Sequence, residues 1–238
     1  MPISYQSNQN IANVQTGAMV SYMNKVYRWM AIGLLITALI AYYIAAQPAI
    51  IQTLVKHIWI VYASLILQLG LVIYISASIE RKSYATLLGI YLGYSVLSGI
   101  TFSLIFLLYT QASINSAFFV TAIAFGGLSL FGYTTKKDLG PIGTFCMMAL
   151  FGFIGIMVIL MIFPKWMTSS MQIFIGIAGV LIFSGLTAYD TQKIKQNLLM
   201  AQDGQTAEKL AIVGALTLYL DFINLFLSFL RLMGQRNN

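Results

Sequence analysis

The stretch GALTLYLDFINLFLSFLR, residues 214–231, decides the fold of this chain. Its polar residues recur at steps of three and four, so at about 100° per residue they share one face of an α-helix. The remaining residues of the stretch are Leu, Phe, Ile, Ala and Tyr. A polar face on so apolar a helix must contact protein or water rather than lipid tails. The face consists of Gly214, Thr217, Asp221, Asn224, Ser228 and Arg231.

The rest of the 238-residue chain is equally apolar, with 59% hydrophobic and only 8% charged residues. Soluble domains carry about 25% charged residues, so soluble and disordered classes are excluded. Apolar windows of about 20 residues, enough to cross a hydrocarbon layer of about 30 Å, occur seven times. We predict an all-α integral membrane protein with seven transmembrane helices; six spans with a re-entrant last segment is the alternative. The spans are 29–46, 58–79, 84–108, 113–133, 141–163, 171–190 with a helical extension, and 210–230.

Charge predicts how the chain is divided and oriented. Residues 1–24 carry no charged side chain and are rich in Gln, Asn and Ser, so we predict a mobile polar cytoplasmic tail there and the transmembrane domain over 25–238. Basic residues concentrate in cytoplasmic loops. Nine of the 13 lie on the N-terminal side, which predicts a cytoplasmic N-terminus, an outer C-terminus and a bacterial inner membrane. The other four are Lys56, Lys165, Arg231 and Arg236.

Metal and nucleic-acid chemistry find little support in the sequence. The single cysteine, Cys146, and the single histidine, His57, exclude a disulfide framework and multi-histidine or cysteine-based metal sites. The basic residues are scattered in pairs rather than clustered on one face, which argues against nucleic acid as a partner. We expect no cofactor, and the lipid bilayer, a cation and protons as partners.

Two acidic residues in the last two spans are the candidate functional site. Asp190 lies near the end of the sixth span and Asp221 lies inside the seventh. A charge at the bilayer centre costs about 2.5–3.5 kcal/mol, so it rarely persists without a partner or a task. If the cytoplasmic boundary lies near Met200 and Lys209, the two carboxyls are about 15 and 18 Å deep at about 1.5 Å per residue.

Such depths on neighbouring antiparallel helices predict a carboxylate pair. Two carboxylates close together in a low dielectric share a proton and titrate in two steps. We therefore predict a proton-sensitive gate, in which protonated carboxyls close a path and free carboxylates attract a cation. Arg81, at the end of the second span, is a candidate latch that holds one aspartate ionised.

Two runs of sequence around these aspartates resemble a known family. GLTAYDTQKIK at 185–195 and LYLDFINLF at 218–226, with SGIT at 98–101 and KKDL at 136–139, are similar to the Bax inhibitor-1 family, also called the transmembrane Bax-inhibitor-motif family. The resemblance implies six helices wrapped around a central C-terminal helix. It also implies a pH-sensitive calcium leak governed by two aspartates that match Asp190 and Asp221, with Arg81 matching a second-helix arginine. Eukaryotic members suppress cell death, and bacterial members include a regulator of a membrane-bound protease.

The second span departs from the pattern of family members proposed as calcium channels. Those members can carry an acidic residue there, whereas residues 58–79 contain none. Calcium prefers several oxygen ligands, often carboxylates. Asp190 and Asp221 alone therefore predict a weak calcium site, which suits a leak better than storage.

Two alternative functions remain open. In the first, the chain is a membrane regulatory protein that binds a membrane protease or another membrane partner, and the aspartates are structural. In the second, it is an intramembrane aspartyl protease, whose two carboxyls share a proton to activate water. Those enzymes have Gly-x-Gly before the second aspartate, whereas bulky Leu218, Tyr219 and Leu220 stand here. We therefore predict that the chain is not an enzyme.

Glycines are frequent in the predicted spans. Small residues let helices approach closely in lipid, so we predict that these glycines lie at helix–helix contacts. They are Gly89, Gly93, Gly126, Gly127, Gly152, Gly155, Gly176 and Gly179.

Overall fold

A computed structural model describes residues 3–201 and 203–237. Within these ranges the chain folds into α-helices joined by short connections, with one 3-10 turn at Pro164–Trp166. The helices are α1 Ile3–Ala45, α2 Pro48–Lys56, α3 Trp59–Ser78, α4 Tyr84–Phe102, α5 Ile105–Leu108, α6 Gln111–Thr134, α7 Gly140–Ile162, α8 Ser169–Met200 and α9 Gly204–Met233.

Among the described residues, seven segments are long and apolar enough to cross a membrane, which confirms the predicted fold class. They belong to α1, α3, α4 with α5, α6, α7, α8 and α9. The predicted helical extension of the sixth span is also confirmed, since α8 continues to Met200.

The first span differs from the prediction. It begins at Gly17 rather than near residue 29, and α1 runs through residue 24 without a break. Met19, Tyr22, Met23 and Val26 recur at three- and four-residue steps and are buried. This apolar stripe lies among polar residues in the sequence. It packs on the core, so α1 extends towards the N-terminus beyond the predicted span. The division at residue 24 therefore does not coincide with the end of an element.

Local sequence signals explain where the helices begin. The side chains of Ser83, Thr110, Thr168 and Asp203 each accept a hydrogen bond from the backbone N–H three residues on, as N-caps do. Proline occupies the first turn of α2 and α7, where its missing N–H has no helical partner to lose.

Helix α9 is the most buried of the spans. In its most apolar stretch 61% of the residues are buried, against 17–39% in the other six. It packs mainly against α8, α1, α6 and α4. Wrapping by all six other spans stays a prediction.

Helices α8 and α9 are antiparallel neighbours joined by residues 201–203. We call the end of the bundle that holds this connection the Asp203 end, and the opposite end, where the chain terminates, the Arg236 end. At the Arg236 end, Arg236 forms an isolated antiparallel bridge with Tyr109.

The glycine prediction is confirmed for Gly176 and Gly179 only. A methyl group at Gly176 would meet Leu232, and one at Gly179 would meet Ser228, so both lie against α9. The other six face open space, because no described residue outside their own helix has an atom within 4 Å of where a Cβ would stand. For them the prediction of close packing within this chain is wrong.

Candidate functional site

The register of α8 against α9 places the two aspartates near each other. Gly214 lies beside Ile194, and Gly179 lies against Ser228. This register puts Asp190 level with Thr217 and Leu218. At about 1.5 Å per residue, Asp190 and Asp221 are then about one turn, or roughly 5 Å, apart along the helix axes.

Both carboxyls are almost completely buried, with 8% of Asp190 and 4% of Asp221 exposed. Asp190 is the charged group that acts electrostatically on Asp221. The Oδ2 atom of Asp221 has no hydrogen-bond partner among the described residues. An unpartnered buried oxygen is unfavourable in a low dielectric. This oxygen can gain the missing partner by binding a proton or a cation.

The positive charge that acts on Asp190 is Lys193, three residues further along α8. The Lys193 ammonium lies 5.5 Å from the centre of the Tyr189 ring. No ion pair joins Asp190 or Asp221 to any basic side chain in the described part of the chain, where the one ion pair is Lys25–Glu208.

The structure does not bring Arg81 to the aspartates. Arg81 lies in the turn between α3 and α4 at the Asp203 end and is exposed to solvent. It lines a surface cleft of about 550 Å³ with residues that include Gln205 and Lys209. Of the predicted site residues, only Asp190 and Asp221 are neighbours here.

A chain of hydrogen-bonded hydroxyl groups begins at the residue that follows Asp190. Thr191 donates to the carbonyl of Thr187 and shares a 3.0 Å hydrogen bond with Ser129 of α6. Ser129 in turn bonds the Tyr27 hydroxyl of α1 at 2.5 Å. This chain of hydroxyls ties α1, α6 and α8 together next to the aspartate.

Gln192 links α8 to the beginning of α7. Its Oε1 accepts from the N–H of Leu139 at 2.9 Å, and its Nε2 donates to the carbonyl of Lys137 at 2.8 Å. Thr191 and Gln192, the two residues that follow Asp190, are thus held by neighbouring elements, which restrains the position of the carboxyl.

The polar face of α9 is buried or half-buried along its whole length, as a face turned away from lipid requires. Thr217, Asn224 and Ser228 each donate to a carbonyl of their own helix four residues back. The hydrogen-bond donors of these three side chains are therefore satisfied within α9. An ionised Asp221 has no donor and cannot bond these carbonyls.

A second polar network lies on another side of α9 and was not predicted. The Tyr219 hydroxyl is 2.7 Å from Thr37 Oγ1, which donates to the carbonyl of Ser95 at 2.9 Å. Tyr219 is fully buried. The signal for this network was weak, since each partner is a single hydroxyl in a different apolar span.

Gln68 of α3 forms another buried polar cluster. Its Nε2 donates to Ser64 at 3.1 Å and to Thr101 at 2.9 Å, and its Oε1 accepts from Ser98 at 3.2 Å. Ser64 and Gln68 of this cluster lie in α3, where family members proposed as calcium channels can carry an acid, and Ser98 and Thr101 lie in α4.

The site offers few ligands for a metal. Within residues 3–201 and 203–237, no group of three or more His, Cys, Asp or Glu side chains is close enough to hold an ion. The carboxylates of Asp190 and Asp221 are thus the anionic ligands available at the site, and calcium normally takes six to eight oxygens. The pair fits a transient cation contact, not a closed cage.

Fold and site together define a multi-pass α-helical membrane protein whose last two helices bury a pair of carboxyls. The chain belongs to the Bax inhibitor-1 family: residues 19–238 match the family described as inhibitor of apoptosis-promoting Bax1. This match confirms the resemblance seen in the aspartate runs.

Relatives from distant bacteria cover most of the chain. Inner membrane protein YbhL of Escherichia coli K12 is 44% identical over 219 residues, which cover 91% of this chain and 92% of YbhL. An uncharacterized protein of Borreliella burgdorferi is 41% identical, with 91% of this chain and 93% of the relative covered. An uncharacterized membrane protein of Streptococcus pyogenes serotype M1 is 35% identical with the same coverage.

Proposed function

We propose that this chain is a pH-sensitive cation leak of a bacterial inner membrane, with calcium as the transported ion and Asp190 and Asp221 as the gating pair. The name of the relative YbhL supports the choice of membrane. The observation that carries the proposal is the buried, unbonded Oδ2 of Asp221, one turn from a second buried acid. Such an oxygen is a ligand for a proton or a cation.

The gate operates through the charge of the pair. Two ionised carboxylates repel each other and attract a cation, whereas a proton removes that attraction. No hydrogen bond joins the two carboxyls in the described conformation, so sharing a proton requires their side chains to rotate towards each other. Because both are nearly inaccessible, this conformation corresponds to a closed leak.

The test is calcium flux from proteoliposomes as a function of pH. Wild-type flux should rise from acidic to alkaline pH as protons leave the pair. Asp221→Asn and Asp190→Asn mimic a protonated carboxyl, so each should give a low flux that has lost most of its pH dependence. Asp138→Asn is the matched control, because Asp138 is an exposed acid at the Asp203 end. Wild-type pH profiles in both pair variants would reject the gate.

Arg81 enters the proposal as a latch that acts only after a rearrangement. Its turn would have to move for the guanidinium to reach either aspartate. If it does so in the closed leak, Arg81→Ala should increase calcium flux severalfold while the neighbouring Lys82→Ala should not. Equal flux in wild type and Arg81→Ala removes the latch but leaves the aspartate pair untouched.

A membrane regulatory protein with structural aspartates is the second candidate. The hydroxyl chain Tyr27–Ser129–Thr191 favours it, since it shows that polar groups at this level hold helices together. In that case Asp190→Asn and Asp221→Asn should change the thermal stability of the purified chain while leaving flux at the level of empty vesicles.

We also propose that the chain has no proteolytic activity. Leu218 and Leu220 occupy the two positions where an intramembrane aspartyl protease has the glycines that admit a substrate backbone, and Leu218 is fully buried. Incubation with a labelled transmembrane peptide should leave the peptide intact. Sequence-specific cleavage that disappears in Asp221→Asn would instead establish an enzyme.

A further inference from the structure

The Arg236 end of the bundle contains a cavity that is lined by two arginines. The cavity has a volume of about 260 Å³ and lies between the α5–α6 connection, the beginning of α8 and the end of α9. Its polar lining consists of Tyr109, Gln172, Arg231 and Arg236. None of these residues takes part in the proposed gate.

The two guanidiniums have no acidic side chain near them. All six acids of the chain lie at the Asp203 end or within α8 and α9, so no Asp or Glu occurs in the connections of the Arg236 end. Arg231 is partly buried, and in the described residues its one side-chain hydrogen-bond contact is Met157 Sδ, 3.9 Å from Nη1. A sulfur atom is a weak acceptor and leaves most of the five N–H donors unused.

The cavity is held in shape by the C-terminal segment. Gln235 accepts a hydrogen bond from the N–H of Thr110 and donates its own N–H to Ser113 Oγ at 2.8 Å. The Asn237 amide donates to three carbonyls at the end of α5, those of Phe106, Leu107 and Tyr109.

These bonds hold the backbone on both sides of Arg236, and the guanidinium carbon of its exposed side chain lies 6.0 Å from the centre of the Tyr109 ring. Because the backbone beside the cavity is already held by these bonds, little of that backbone has to order when a ligand binds.

We propose that this cavity binds a phosphate-type oxyanion through Arg231, Arg236 and Gln172. Arg231 is half-buried, and a buried positive charge is unfavourable unless an anion neutralises it, while the exposed Arg236 adds a second positive charge to the cavity lining. The forked guanidinium matches phosphate oxygens in pairs. The cavity volume is several times the roughly 30 Å³ that one water molecule occupies.

The phosphate has two natural sources at this position. Met167 lines the cavity and follows the exposed Trp166 in the chain, and exposed tryptophans favour the headgroup level of a bilayer. The anion is therefore either the phosphate of a lipid headgroup or a free phosphate from the adjoining water. Both sources carry the same phosphate group, and binding measurements with each of them separate the two. The inference does not depend on the cation leak, since binding is measured directly.

The test uses the full chain, purified in an uncharged detergent and freed of lipid. Thermal stability is followed against sodium phosphate at constant ionic strength, and separately against a short-chain phosphatidylglycerol. A ligand that binds the folded state raises Tm in a saturable way. Arg236→Gln should raise the half-saturating concentration about tenfold, the loss expected for one charge-assisted hydrogen bond. It leaves the main-chain bridge to Tyr109 in place.

Arg231→Gln should weaken binding by at least as much, and circular dichroism checks that this buried variant is folded. Lys165→Gln is the matched control, because it removes one exposed positive charge from the same end outside the cavity. Saturation by phosphate supports a free anion, and saturation by the lipid alone supports a headgroup. The proposal is overturned if neither phosphate nor the lipid raises Tm in a saturable way. It is also overturned if Arg236→Gln and Lys165→Gln bind the probe equally well.

Discussion

Tyr219 and Asp221 stand two residues apart on α9 and illustrate two uses of a buried polar group. The Tyr219 hydroxyl is satisfied by Thr37, whereas one oxygen of Asp221 has no partner in the described part of the chain. In a bilayer no water replaces a missing partner, so nearly all buried polar groups are paired. A satisfied tyrosine therefore points to a structural role, and an unsatisfied aspartate points to function.

Asp203 provides a residue-scale prediction about pH. It caps α9 and is hydrogen-bonded by Thr206. The side-chain hydrogen bond of Thr206, and to a smaller extent its backbone N–H, hold the pKa of Asp203 below its usual value. An acid whose folded pKa is depressed stabilises the fold above its unfolded pKa, and this stability is lost as pH falls through the folded pKa. Asp203→Asn should therefore have a lower Tm than wild type at neutral pH and an equal Tm in acid.

The measurement is thermal unfolding of the detergent-solubilised chain over a series of pH values. Glu80→Gln removes an exposed acid at the same end that makes no hydrogen bond or ion pair in the described residues. It should follow wild type at every pH. A difference between Asp203→Asn and wild type that persists unchanged into acid would show that charge is not the cause.

Helix α8 packs closely on three sides. It meets α9 through Gly179, α6 through the Ala188 backbone against Gly132, and α7 through Tyr189 against Gly143. Without a hydrophobic driving force between helices in lipid, such close approach is a main source of association. The contacts of Ala188 and Tyr189 position Asp190, since these two residues immediately precede it in the helix.

The contrast between packed and open glycines gives an element-scale prediction. A methyl group at Gly132 would overlap the backbone of Ala188, so Gly132→Ala should destabilise the fold by about 1–3 kcal/mol, as overpacking does. Gly126 of the same helix faces open space, and Gly126→Ala should be neutral or stabilising by up to about 1 kcal/mol through helix propensity. Unfolding of both variants in mixed micelles is the measurement. Equal destabilisation of both would contradict the packing of α6 on α8.

The whole molecule is electrically asymmetric between its two ends. The Asp203 end holds most of the basic residues and all the loop acids, whereas the Arg236 end holds Lys56, Lys165, Arg231 and Arg236 without a single acid. Orientation depends on the Lys and Arg count of the loops and hardly on the acids. The Asp203 end should therefore face the cytoplasm.

Topology is the prediction that belongs to this scale. Alkaline phosphatase, which is active only outside the cytoplasm, should be active when fused after residue 238. It should be inactive when the chain is cut at Ala201 and fused there, since that connection lies at the Asp203 end. Enzyme activity in colonies measures both, and immunoblotting controls for expression. The reverse pattern would invert the orientation and with it the side from which protons reach the aspartates.

Several features of this protein follow from its sequence alone because they depend on local composition and period. The seven spans, the polar face of α9 and the acids at Asp190 and Asp221 are all of this kind. The similar depths of the two acids on neighbouring antiparallel helices predict their pairing, and the register of α8 against α9 agrees with it. The stripe of Met19, Tyr22, Met23 and Val26 was also local, yet surrounding Gln and Asn concealed it.

Tertiary structure decided the features that depend on which helix faces which. It selected Gly132 and Gly143 as close contacts and left Gly89 and Gly93 open, joined Tyr219 to Thr37, kept Arg81 away from the aspartates, and brought Arg231 and Arg236 into one cavity. The physical reason is that glycine spacing, a single hydroxyl or a lone arginine has the same local pattern in either environment. Only contacts between residues far apart in the chain distinguish a packed face from an open one.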